Sequence, residues 1–136
     1  MAPKNESESK NRSELRVGAA PEVARGFAEA ALSKKATDLL ILDMRNLTSM
    51  TDFFIVGTVS TDVHSRAVES TIVDWARDEL QLRPWYIEGA EGSRNWVLLD
   101  YIDVVVHLFR PEARDYYSLE RLWGDAPVEE INDPDG

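Results

Sequence analysis

The sequence predicts an α/β fold, with a mixed sheet of about five strands flanked by helices. Two short apolar runs, at 38–44 and 53–56, are nearly continuous, which is typical of strands covered on both faces. Segments with helical periodicity lie before, between and after the predicted strands. The 136 residues suit one domain with one core. We therefore expect a disordered extension at 1–20, a domain at 21–126 and a flexible acidic tail at 127–136.

The first half of the chain is predicted to run helix, strand, strand, helix. Pro21 suits the first position of a helix, and Phe27 lies on its apolar face. Strands are expected at 37–44 and 52–59, separated by a polar loop. The second helix should run to about residue 81, and three residues can cap its start: Ser60, Thr61 and Asp62.

The second half is predicted to add three strands and a final helical segment. A short strand is expected at 84–87, and two longer ones at 95–101 and 103–109. Because the longer strands are so close in sequence, a tight antiparallel turn near Ile102 is the simplest link. One helix, or two short helical pieces, should follow at 112–123.

The charge distribution indicates what kind of partner the protein could bind. The formal net charge is -10, which argues against nucleic-acid binding because such proteins need clustered Lys and Arg. From residue 111 to 136 there are eight acidic residues and two arginines, a net charge of -6. Such a segment is either a solvated tail or a surface that attracts a basic partner at short range.

Composition also limits the compartment. The sequence has no apolar run near the roughly 20 residues that a membrane-spanning helix requires. Its first residues are polar and carry both charge signs, unlike a secretory signal. It contains no cysteine, so no disulfide or thiolate metal site is expected. We expect a cytoplasmic protein without a membrane partner.

The predicted strand at 103–109 carries a candidate chemical group. Alternation places Asp103, Val105, His107 and Phe109 on one face. An acid and a histidine on one face could form an acid/base pair or half a metal site. Because no third ligand or nucleophile follows at a fixed spacing, a core histidine with hydrogen-bond partners is favoured for His107.

Asp100 and Asp103, with Asp43, raise a second enzymatic alternative. Paired carboxylates hold Mg²⁺ in nucleotidyltransferases, beside a Gly-Ser turn that grips phosphate. Here Thr58-Val59-Ser60 stands where that turn would be. No phosphate-binding loop, dinucleotide fingerprint or nucleophile elbow occurs either. We therefore expect no catalytic residues, no metal and no cofactor.

Aromatic residues are abundant for a chain with so many acids. There are four tryptophans, and Trp123 follows the last strand that the pattern predicts. Fully exposing such a side chain forgoes about 1.5–3 kcal/mol. Trp123 should thus be covered by its own domain, a second copy or another protein, and Trp96 could be core. Tryptophan and tyrosine are also enriched at interface hot spots.

Two stretches closely resemble the Iojap family, the ribosomal silencing factors called RsfS. They are N-W-V-L-L-D-Y-I-D-V-V-V-H-L-F at 95–109 and R-D-Y-Y-S-L-E-R-L-W-G-D-A at 114–126. Further matches are residues 38–44, T-D-F-F-I-V at 51–56, His64, and Glu88-Gly89. The resemblance covers about residues 21–126 in the family's order.

The resemblance implies a nucleotidyltransferase-like fold without transferase chemistry. It implies binding to a basic large-subunit ribosomal protein, number fourteen, at the face where the small subunit docks. Blocking that face would repress translation during starvation. Two alternatives remain, a large-subunit assembly factor at the same site and, less favoured, a metal-dependent nucleotidyltransferase. Family members also form homodimers when free.

The resemblance also suggests which residues bind the ribosomal protein. Carboxylates would pair with its Lys or Arg, and aromatics would anchor the contact. We expect Tyr116 and Leu119 to fasten the last helix, and His107 and Phe109 to support the surface from behind. The expected binding residues are Trp96, Asp100, Asp103, Tyr117, Glu120, Leu122 and Trp123.

Overall fold

The computed structural model describes residues 18–133. Of the extension predicted to be disordered, 1–17 lie outside the described residues, and the amide of Ala19 donates to the Asp52 carboxylate at 2.7 Å. The helices are α1 (Pro21–Ser33), α2 (Asp62–Leu80), α3 (Pro111–Tyr117) and α4 (Leu119–Leu122). The strands are β1 (Thr37–Asp43), β2 (Phe53–Thr58), β3 (Tyr86–Glu88), β4 (Trp96–Asp100), β5 (Val104–Phe109) and β6 (Val128–Ile131).

The strands form one mixed sheet in the order β3-β4-β5-β2-β1-β6. Only β2 and β5 are parallel among these neighbours, and the other four pairs are antiparallel. α2 and the β3–β4 hairpin lie between the two parallel strands in sequence, as a parallel crossover requires. The predicted α/β class with a mixed sheet is confirmed.

The sheet has six strands rather than about five. β6 lies in the segment predicted to be a flexible acidic tail, and it pairs antiparallel with β1, Leu42 opposite Val128. That prediction was wrong for 128–131. β6 is short, exposed and acidic, as edge strands often are, so it shows little of the alternation on which strand prediction depends.

One face of the sheet is covered by α1 and α2. Phe27 of α1 is fully buried and packs edge-on against Trp75 of α2, with ring centroids 5.0 Å apart. The two helices touch closely at Gly26, where a Cβ would lie 2.5 Å from the Trp75 ring. Thr61 caps α2 by accepting from the amide of His64 at 3.0 Å, as one of the three predicted caps. This packing makes the larger hydrophobic core.

The opposite face, here called the open face, is covered only in part. α3 and α4 cross it as two short helices, separated by Ser118 in the left-handed region (φ +47°). Leu119 is buried there, as expected, but Tyr116 is 82% exposed. The prediction that Tyr116 fastens the helix was wrong, because this side chain points to solvent. Within residues 18–133, no helix covers the part of the open face beyond α3 and α4.

Candidate docking face

Strand register determines which side chains share the open face. Across β4 and β5, Trp96 lies opposite Phe109, Leu98 opposite His107, and Asp100 opposite Val105. Because side chains alternate along a strand, these six project on one side of the sheet, and the predicted alternation of β5 is confirmed by the burial of Val104, Val106 and Leu108 in the core under α1 and α2. Phe54 of β2 lies beside Val105 and extends this surface toward β1.

Trp96 is the centre of an aromatic cluster on the open face. Its ring lies 4.8 Å from Phe109 and 4.7 Å from Tyr117, between ring centroids. Its indole N–H donates to Nδ1 of His107 at 3.1 Å. Trp96 is partly exposed and Tyr117 is 49% exposed, whereas Phe109 is fully buried. The cluster therefore presents two aromatic rings outward, on a buried support.

His107 is a core histidine, as the sequence favoured, and lies on the open-face side of β5. It is only 4% exposed, and burial lowers the pKa of its imidazole to about 3. The ring is therefore neutral near pH 7. It also packs edge-on against Phe54, with centroids 4.6 Å apart. His107 and Phe109 both contact Trp96 from the buried side.

Trp123 covers a different part of the open face. It is half-buried and packs edge-on against Phe54, with centroids 6.2 Å apart. Its neighbour Leu122 is 72% exposed and lies in a shallow groove shared with Leu47. Trp123 is thus covered by its own domain on one side, while Leu122 is free to meet another molecule.

Glu120 forms an ion pair with a buried arginine. It accepts from the Nε–H of Arg114 at 3.2 Å, and the Arg114 Nη1–H donates to Thr58 Oγ1 at 2.7 Å. Arg114 is buried, and this pair fastens α3 and α4 to the end of β2. The Glu120 carboxylate is therefore engaged by Arg114 within the protein. It lines a cleft that also contains Asp38 and Glu130.

Asp100 and Asp103 belong to the tight turn between β4 and β5. The Asp100 carboxylate accepts from the amide of Ile102 at 2.7 Å, which stabilises the left-handed conformation of Ile102 (φ +74°). The Asp103 carbonyl accepts the amides of Asp52 and Phe53, joining the turn to β2. Both acids are partly exposed. The predicted turn near Ile102 is present.

Sequence reasoning missed the contribution of β3 to this face. Tyr86 lies opposite Asp100 and Glu88 opposite Leu98, so both project on the open face. The Tyr86 hydroxyl donates to Glu88 at 3.1 Å. The parity that joins Trp96, Leu98 and Asp100 was visible in the sequence, but the partner strand and its register were not.

The residues proposed for metal chemistry are not grouped. Among residues 18–133, no set of three or more His, Asp or Glu side chains is placed to hold one ion. The Asp43 carboxylate is bound by Arg45 at 2.7 Å, which lowers the pKa of Asp43.

His64 accepts from the amide of Ser60 at 2.9 Å and donates to the Lys34 carbonyl at 2.7 Å. It thus joins the end of α1 to the start of α2.

Comparison with known proteins identifies the family. Residues 18–135 match the family described as RsfS, ribosomal silencing factor during starvation. The chain belongs to this family. It is 40% identical over 105 residues to the ribosomal silencing factor RsfS of Bacillus subtilis, covering 77% of this chain and 87% of that protein. The match includes β6, beyond the 21–126 domain expected from sequence.

Two further relatives extend the comparison. The chloroplastic protein Iojap of Zea mays is 36% identical over 107 residues, which is 78% of this chain and 46% of that protein. The crystal structure of protein CV0518 from Chromobacterium violaceum has a TM-score of 0.71 and 36% identity, covering 76% of this chain and 84% of that one. The recognition of the family and its fold from sequence is confirmed. Within residues 18–133, no helix is long and apolar enough to cross a membrane.

Proposed function

We propose that this protein binds the large ribosomal subunit through ribosomal protein number fourteen and blocks joining of the small subunit. The observation that carries the proposal is the outward pair of rings, Trp96 and Tyr117, beside the carboxylates of Glu88 and Asp100 on one sheet face. In a member of a ribosomal silencing family, this surface suits a basic protein. Repression of translation during starvation would follow from steric exclusion, without catalysis or a cofactor.

The physical argument combines anchoring with charge. Partly exposed tryptophan and tyrosine supply large contact areas that lose little conformational freedom on binding. Carboxylates around them add charge-assisted hydrogen bonds to Lys and Arg. The net charge of -10 would favour encounter with a basic partner at low salt. A cytoplasmic location and a homodimer in the free state are part of the same proposal.

Ribosome binding is tested with purified large subunits. The wild-type protein should sediment with free large subunits, and at saturation it should lower the light-scattering signal of joined ribosomes. Trp96→Ala should weaken binding by about thirtyfold or more, the loss of a central interface anchor. Trp85→Ala is the matched control, because Trp85 is 51% exposed, directly precedes β3 and is adjacent in sequence to Tyr86. Unchanged subunit joining at saturating protein would contradict the proposal.

Trp123→Ala and Leu122→Ala distinguish side chains that pack in the core from side chains that contact the partner. Trp123 packs on Phe54, so its truncation should lower both stability and binding. Leu122 is 72% exposed, so its truncation should change binding alone. If Trp123→Ala loses stability with no separate loss of binding, this tryptophan belongs to the core only.

A large-subunit assembly role would use the same docking face, and cell-level profiles distinguish it. In a strain without the protein, silencing predicts a defect confined to starvation and normal large subunits on sucrose gradients. Accumulated large-subunit precursors during growth would instead indicate assembly. Mg²⁺-dependent nucleotide binding by calorimetry would favour the transferase alternative and contradict the non-enzymatic proposal.

A further inference from the structure

The hydrogen bond between Trp96 and His107 joins the docking face to the buried centre of the sheet. The indole nitrogen of tryptophan can only donate, so Nδ1 of His107 must be the acceptor in this 3.1 Å contact. The imidazole proton then lies on Nε2. Burial, which lowers the pKa of His107 to about 3, keeps the ring in this neutral form.

The other ring nitrogen of His107 makes the choice of histidine costly. Nε2 is buried and has no hydrogen-bond partner among residues 18–133. A buried donor without an acceptor is destabilising, because folding removes its hydrogen bond to water without replacing it. An apolar side chain of similar size would avoid that cost in this aromatic and aliphatic setting, beside Phe54 and Phe109. Stability alone therefore does not account for histidine at this position.

The gain from His107 lies in the orientation of Trp96. The indole packs on Phe109 and against Tyr117, but these contacts are apolar and tolerate sliding of the ring. The N–H···Nδ1 bond adds a directional contact that fixes one rotamer. A side chain that is already ordered in the free protein loses less conformational entropy on binding. A fixed indole would therefore bind its partner more tightly.

We propose that His107 is a positioning residue, which holds the indole of Trp96 in the orientation that docks on the large ribosomal subunit. This inference rests on the proposed function. It assigns His107 a specific role through one side-chain contact, beyond packing behind the surface. The partner would meet Trp96, and His107 would remain buried.

The test is a double-mutant cycle with two replacements of His107. His107→Leu removes the acceptor, whereas His107→Asn restores an acceptor oxygen close to the position of Nδ1. The Kd of each folded variant for purified large subunits is measured at fixed salt, in the wild-type and Trp96→Phe backgrounds. We expect His107→Leu to weaken binding by about tenfold, the upper range for one hydrogen bond. His107→Asn should bind within about threefold of wild type.

The Trp96→Phe background shows whether His107 acts through Trp96. Phenylalanine has no indole N–H, so His107→Leu should cause no further loss there. The indole N–H resonance of Trp96, assigned by its loss in Trp96→Phe, should shift and exchange faster with solvent in His107→Leu but not in His107→Asn. This readout needs no ribosome and separates orientation from general stability.

The outcomes distinguish the two levels of the proposal. If the wild-type protein binds large subunits and His107→Leu binds them with the same Kd, the positioning role is wrong while the proposed function stands. An equal tenfold loss in the Trp96→Phe background also overturns it, because the effect then does not pass through Trp96. If the wild-type protein does not bind large subunits, the proposed function is wrong, and the positioning role of His107 is then wrong as well.

Discussion

The two faces of the sheet are built from alternate residues of the same strands, yet they bury different chemistry. The core under α1 and α2 is apolar and closed, with Phe27 at its centre. On the open face, the buried residues include the neutral imidazole of His107, which contacts partly exposed Trp96, and the guanidinium of Arg114, which contacts Thr58. The comparison indicates that the covered face supplies apolar stability, whereas the open face also buries polar groups at some cost in stability.

The largest effect is expected on the covered face. Phe27→Ala should lower the free energy of unfolding by about 3–5 kcal/mol, since it leaves a cavity in a closed core. Phe27 contacts both Trp75 and Tyr101, at centroid distances of 5.0 and 4.8 Å. Urea denaturation measures the change. Tyr116→Ala, at an 82% exposed aromatic, is the control and should change it by about 0.5 kcal/mol or less.

A Phe27→Ala loss below about 1 kcal/mol would mean that the covered face is not the main source of stability. The fraction of Phe27→Ala that remains folded should bind large subunits as wild type does. A binding loss in that fraction would show that the two faces do not act separately.

The next effect tests how the helices are fastened to the open face. Arg114→Leu removes the donors to Thr58 and Glu120 and should lower the free energy of unfolding by about 1.5–3 kcal/mol, the range for hydrogen bonds to charged groups. Glu120 is partly exposed, so the loss should stay below that of a fully buried broken ion pair. Hydrogen exchange should accelerate across 111–126 before it does in α1 and α2.

Arg121→Leu is the matched control for Arg114→Leu. Arg121 is an exposed arginine in α4, three residues after Ser118, and its replacement makes the same charge change. If both variants accelerate exchange equally, net charge rather than the buried contacts holds the segment in place.

The third effect is a dependence of stability on pH that comes from His107. Its pKa falls from 6.5 to about 3 on folding, so between these values the unfolded chain binds a proton that the folded chain does not. Stability is therefore present above pH 6.5 and lost as the pH falls. Between pH 7 and pH 5 this loss should be about 2 kcal/mol.

Urea denaturation of wild type and His107→Asn at pH 7 and pH 5 isolates this contribution. All other ionisable groups are the same in both proteins, so their contributions cancel in the difference. The variant should lose about 2 kcal/mol less than wild type over this range. Equal losses in the two proteins would show that His107 is protonated in the folded state, contrary to its burial.

The sequence predicted most of the sheet, but it did not predict that C-terminal residues add a sixth strand or which of them are buried. Alternation on β5 correctly separated His107 and Phe109 from Val106, because a two-residue period leaves a clear trace in a buried strand. The turn at Ile102 followed from the short distance between β4 and β5. These features depend on neighbours in sequence.

The missed features depend on contacts between distant segments. β6 is an acidic segment, and it becomes a strand by pairing with β1, which lies about 90 residues earlier in the chain. Glu120 remains a predicted docking residue, but its pairing with buried Arg114 was not predicted. An arginine among acids is typical of a solvated surface, so sequence gave no sign that Arg114 is buried against Thr58.

The smallest effect concerns charge at the rim of the open face. Asp100→Asn keeps an oxygen that can accept from the Ile102 amide, now at 2.7 Å, so the turn should survive while the charge is lost. Binding to large subunits should weaken by about threefold, as for an exposed ion pair, and the difference should shrink as salt rises. Glu79→Gln is the control, since exposed Glu79 lies on α2, on the covered side of the sheet. An equal loss for both variants would show that the partner senses only the net charge, whereas a loss for Asp100→Asn alone would place the basic partner on the open face.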